Sequence, residues 1–72
     1  MASSTEKTKE KLKTNIKTYR KKLSLTQLKL SIQAGLSCDY VHEIETGRRN
    51  PSLDVLCRLA DALKIEPYEL LK

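Results

Sequence analysis

Cys38 and His42 stand four residues apart, with Asp39 beside the first and Glu43 beside the second. Residues at that spacing project from one side of a helix, so two chemistries are open to them. Thiol and imidazole could supply two ligands to a metal, with Asp39 or Glu43 as a third. Alternatively, the same polar row could lie in a groove of DNA and meet base edges. His42 is the sole histidine, and the other cysteine, Cys57, falls in an apolar run where an ordinary buried thiol is expected. No metal and no cofactor are therefore expected, and a groove-facing helix is the reading carried forward. At the start of such a helix Cys38 is either an oxidation-sensitive thiol or a small tolerated residue, and the second reading is the simpler.

The rest of the chain must hold that helix in place. Its 72 residues are 39% hydrophobic with three Tyr, no Phe and no Trp, which allows one domain at most, built on Leu, Ile, Val and Ala. Two Gly and two Pro leave few turns, favouring helices over a sheet of short strands. Two cysteines without a CxxC pair do not suit a disulfide-stapled secreted domain. No apolar run is long enough for a membrane span, and the opening MASSTEKTKEK lacks a signal peptide's apolar segment. A cytoplasmic protein with no membrane partner is expected. Net charge is +5 and uneven: residues 1–29 carry nine Lys or Arg against two acids, residues 30–72 five against seven. Such a balance suits a polyanionic partner, although lysine-rich helix faces are also often just solvated. No Ser-His-Asp or Cys-His arrangement comes with a pocket that five short helices could enclose, so an enzyme is not expected.

Residues 1–9 are small, polar and charged after Met1 and Ala2, and read as a flexible N-terminal arm before a domain spanning 10–72. From about Glu10, Leu12, Ile16, Tyr19 and Leu23 recur at helical spacing, with Lys11, Lys13, Lys17, Lys21 and Lys22 on the other side. Thr26 is placed to cap a second helix from Gln27, which carries Leu28, Leu30, Ile32 and Ala34 to a stop at Gly35. Ser37 is placed to cap a third from Cys38 to about Thr46, ended by Gly47. Val41 and Ile44 share its apolar face, with Asp39, His42, Glu43 and Thr46 opposite. Ser52 caps a fourth, Leu53 to Leu63, apolar nearly all round and so central. Lys64-Ile65-Glu66 leads to a short fifth helix opened by Pro67.

Two short helices joined through Ala34-Gly35-Leu36-Ser37, with one before and two after, make a helix-turn-helix arrangement. At these residues the chain resembles the Xre-type family of lambda repressor-like and Cro-like DNA-binding domains. The resemblance runs from Leu12 to Leu71, strongest in IETGRRNPSLDVLCRLADAL (Ile44 to Leu63) and looser in TQLKLSIQAGLS (Thr26 to Ser37). It implies an all-α, five-helix domain with the helix-turn-helix formed by helices 2 and 3. It also implies that Cys38, Asp39 and Glu43 face base edges, that Gln27 binds phosphate and braces the third helix, and that Thr46, Arg48, Arg49 and Asn50 meet the DNA backbone. Arg20 and Glu45 stand where the family pairs an Arg with a Glu, and Glu45, at the edge of the apolar face, would need such a partner. Ser31 replaces the family's usual Ala at the contact of helices 2 and 3, and is small enough to fit. Tyr40 either offers its hydroxyl to a phosphate or covers the edge of helix 3. Helix N-terminal amides and a loop with two Arg agree with phosphate contacts.

The expected function is sequence-specific regulation of transcription, by a repressor or a restriction-modification-type controller of a bacterium or its phage. It would bind double-stranded DNA as a homodimer on a pseudo-palindromic operator. Val55, Leu59, Ile65, Tyr68 and Leu71 are the candidate dimer contacts in the C-terminal helices, while Tyr19 continues the apolar stripe of the first helix. A carboxylate in a major groove accepts from cytosine's amino group, so a cytosine is expected opposite Asp39 or Glu43. The rival is a protein-interaction module, an antitoxin or adaptor that keeps the fold, because residues 38–46 hold three acids and no Lys or Arg.

Overall fold

A computed structural model describes residues 3–72; of the expected arm, Met1 and Ala2 lie outside the described residues. Helix α1 (Ser4–Lys22) opens with the Ser3 hydroxyl accepting from the Glu6 amide at 3.2 Å. Glu6 lies in its first turn and Arg20, Lys21 and Lys22 in its last, each on the end of the helix dipole that favours its charge. The helix thus begins at Ser4 instead of near Glu10, and residues 4–9, expected in a flexible arm, are helical. Apolar periodicity reports only the buried part of a helix, and residues 4–11 are exposed.

Helix α2 (Gln27–Gln33) is capped by Thr26 as expected, its hydroxyl accepting from Lys29 at 3.0 Å. Its buried stripe is Leu30, Ser31 and Ala34, while Leu28 and Ile32, one turn apart on the other side, are exposed. Helix α3 (Tyr40–Glu45) starts two residues later than its pattern predicts. Cys38 and Asp39 form a turn, and Ser37 contributes its carbonyl, not its hydroxyl, to the Tyr40 amide at 3.1 Å. Helix α4 (Leu53–Leu63) has the expected bounds and Ser52 cap. Leu56, Leu59, Ala60 and Leu63 are buried, but Leu53 at its first turn is 76% exposed.

The expected fifth helix is a single 3-10 turn, Pro67–Leu70, so the described residues hold four α-helices and no strand. Four residues are too few for an α-helix to repay its nucleation. The turn is held instead by fully buried Leu70 and by Asn15 of α1, whose Nδ2 donates to the carbonyls of Leu70 at 3.0 Å and Lys72 at 3.3 Å.

All four α-helices close the same way. A residue with positive φ follows each: Ser24 (56°), Gly35 (71°), Gly47 (82°) and Lys64 (61°). The next amide then donates to the carbonyl five residues back, as Leu36 does to Ser31 at 2.9 Å and Arg48 to Glu43 at 2.8 Å. Glycine takes this conformation freely at Gly35 and Gly47, whereas Ser24 and Lys64 hold it at a cost of about 1 kcal/mol each.

The core centres on Ile16, Leu30, Val41, Ile44, Leu59 and Leu70. α2 packs on α3 and α4, and α1 packs on α3 and the 3-10 turn. Leu59 is fully buried and leaves the candidate dimer surface. Tyr68 and Leu71 remain outside, 60% and 39% exposed. Among the described residues no helix is long and apolar enough to cross a membrane.

Candidate nucleic-acid interface

The inner side of α3 is fastened by a chain of polar side chains. Arg20 of α1 donates from Nε to Glu45 Oε2 at 2.8 Å, from Nη2 to Glu45 Oε1 at 3.1 Å, and from Nη1 to the Leu25 carbonyl at 2.9 Å. The two side chains are only 11% and 7% exposed, so the ion pair expected from the resemblance is bidentate and nearly dry. Gln27, at the start of α2, donates from Nε2 to Glu45 Oε1 at 3.0 Å. Because a carboxylate only accepts, that bond fixes which end of the amide faces Glu45 and turns the amide oxygen toward His42. His42 Nδ1 lies 3.1 Å from that oxygen and so carries its proton there. Gln27 braces α3 as expected and keeps one amide hydrogen for another acceptor.

A second fastening lies at the α2–α3 contact. Ser31 is fully buried, its hydroxyl donating to the Gln27 carbonyl at 3.0 Å and accepting from the Val41 amide at 3.1 Å. The Val41 amide belongs to the first turn of α3, where donors have no partner within the helix. Neither Ser37 nor Asp39 caps that turn with its side chain. Ser31 does so from the neighbouring helix.

Cys38, Asp39, His42 and Thr46 are exposed at or near α3. Thr46 turns its hydroxyl back on the helix, bonding the carbonyls of His42 and Glu43 at 3.0 and 3.2 Å. Tyr40 is half-buried against the core with Arg49 over its ring, Cζ 4.8 Å from the centroid, so it covers the edge of α3. Glu43 accepts from Arg49 Nε at 2.9 Å, so one oxygen of this expected base reader is already taken. Arg48 and Asn50 are exposed in the loop, and among the described residues the Arg48 guanidinium bonds no protein group. Among those residues no three His, Cys, Asp or Glu gather as a metal site requires.

By charge alone the lysines of α1 suit either a polyanionic partner or a solvated face, and two of them belong to this side. Lys13 and Lys17, with Gln27, His42 and Thr46, line a cleft of about 320 Å³ between α1, α2 and α3. Their spacing of four residues was the available signal: it puts both on one flank of α1, beside the Leu12 and Ile16 stripe. Cations of α1 therefore border the polar side of α3, whose own residues are acidic.

Residues 16–70 match the family model described as helix-turn-helix. The chain is 47% identical over 51 residues, 71% of its length, to the immunity repressor protein of Bacillus phage phi105, and spans 35% of that protein. It is 38% identical over 50 residues, 69% of its length, to control protein C.BamHI of Bacillus amyloliquefaciens, spanning 62% of it. The crystal structure of the restriction-modification controller protein C.AhdI from Aeromonas hydrophila has a TM-score of 0.79 at 40% identity, covering 83% of this chain and 91% of that one.

Proposed function

Because the chain belongs to the helix-turn-helix family of Xre-type, lambda repressor-like DNA-binding regulators, we infer that it acts as a homodimer on a pseudo-palindromic operator, as a repressor or a restriction-modification-type controller. The observation that carries this reading is α3 itself. It is locked from behind by Arg20, Glu45 and Gln27 while Cys38, Asp39 and His42 stand in solvent, and Lys13, Lys17 and Arg48 flank it. A helix held rigidly with its polar side free is what base reading requires, and the flanking cations can take the phosphates on either side.

The body measures 35 × 22 × 21 Å and offers one α3, whereas successive major grooves on one face of DNA lie ~34 Å apart. Two half-sites therefore call for two copies. Exposed Tyr68 and Leu71 support a dimer contact at the C-terminal end, and two free cysteines suit a reducing, cytoplasmic setting. On DNA, Cys38 and Asp39 would face bases, with Asp39 accepting from a cytosine amino group. Gln27, Tyr40, Thr46, Asn50, Lys13, Lys17 and the loop arginines would border the backbone.

Selection of bound sites from a random duplex pool, with sedimentation of the complex, tests this. Two inverted half-sites about one helical turn apart, each holding a cytosine that Asp39→Ala ceases to prefer, are expected. Arg48→Ala should weaken binding to all sequences and flatten the slope of log affinity against log salt by ~0.9. One protomer on a single half-site would overturn the dimer, and an unchanged salt slope would remove Arg48 from the backbone contacts.

A further inference from the structure

Arg49 is held differently from Arg48 beside it. Tyr40 and Glu43, three residues apart on α3, give it two seats: its guanidinium carbon lies 4.8 Å from the Tyr40 ring centroid, and its Nε donates to Glu43 Oε1 at 2.9 Å. The loop backbone is tied to the same place, since the amides of Arg48 and Arg49 both donate to the Glu43 carbonyl, at 2.8 and 3.3 Å. Only Nε of Arg49 is engaged; among the described residues its two Nη groups bond no protein acceptor. A guanidinium offers donor pairs along two edges, and occupying the Nε side leaves the Nη1–Nη2 edge, whose spacing matches two phosphate oxygens.

We propose that Glu43 and Tyr40 are positioning residues for Arg49, which they hold so that its Nη1 and Nη2 groups meet a DNA phosphate as a pre-set fork. Glu43 then acts on DNA through Arg49 instead of touching a base. This rests on the reading that this side of α3 meets DNA. An arginine loose in a loop gives up rotamer freedom when it binds phosphate, and one already seated on a ring and a carboxylate has given it up beforehand. The opposite outcome is also physically defined: if Glu43 merely neutralises Arg49, releasing the pair would strengthen binding.

The sign of a double-mutant cycle separates these, with a short random-sequence duplex as probe so that no operator need be known. Glu43→Gln removes a negative charge near DNA, which raises affinity whether or not Arg49 is present. It also frees Arg49, which lowers affinity only where Arg49 is present. The Glu43→Gln effect in the parent, divided by its effect in the Arg49→Ala background, should therefore fall below one by about threefold or more. In the Arg49→Lys background, where charge is kept but the fork is gone, Glu43→Gln should behave as it does in Arg49→Ala. A ratio of one overturns the proposal, because a Glu43 that only supports the fold changes affinity equally in every background. A ratio above one overturns it in favour of neutralisation. A parent that fails to bind the duplex overturns the DNA reading and this proposal with it, whereas a binding parent with a ratio of one sinks this proposal alone.

Discussion

Glu43 and Glu45 sit two residues apart on α3 and each binds an arginine, yet their surroundings give the two pairs opposite roles. Glu45 meets Arg20 through two bonds with both side chains nearly out of water, and Gln27 and the Leu25 carbonyl complete the set. Glu43 meets Arg49 through one bond, with 31% and 48% of the side chains exposed. Water can replace a lost partner at the outer pair and cannot at the inner one. Burial therefore separates a nearly dry ion pair from a hydrated one on one short helix, with the same two residue types on both sides.

The largest effect expected from breaking this contrast is at the inner pair. Glu45→Gln leaves Arg20 largely buried with its charge uncompensated and should cost about 3–5 kcal/mol in urea unfolding. A loss below ~1 kcal/mol would mean the inner pair is as hydrated as the outer one. Next comes Ser31→Ala, which leaves the Val41 amide without its acceptor inside the α2–α3 contact. A loss of about 1–3 kcal/mol is expected, and a melt unchanged from the parent would show that α3 needs no cap from α2. Smallest is Glu43→Gln, whose unfolding free energy should stay within ~1 kcal/mol of the parent. A loss as large as that of Glu45→Gln would erase the distinction and make Arg49 part of the scaffold.

Local signals were legible where they act locally. Thr26 and Ser52 cap their helices within three residues of chain, and Gly35 and Gly47 mark two left-handed stops because few other residues take that conformation freely. Ser24 and Lys64 make the same turn without glycine and left no such mark. The Arg20–Glu45 pair was legible through family resemblance, which supplies a contact 25 residues apart that periodicity cannot. The seat of Arg49 was not, because it depends on the loop folding back after Gly47 until its amides reach the Glu43 carbonyl. Lys13 and Lys17 looked like any solvated lysines until α2 and α3 were placed beside them.

The sequence by itself determined an all-helical chain, the bounds of α2 and α4, and a polar row near Asp39 and His42, because capping, periodicity and chain reversal are settled over a few neighbouring residues. Only the tertiary structure decided that Ser31 caps a helix other than its own, that Leu59 lies inside while Leu53 lies out, and that Glu43, partly exposed, seats Arg49. Those outcomes depend on burial and on partners far along the chain, and neither exists until the helices have packed.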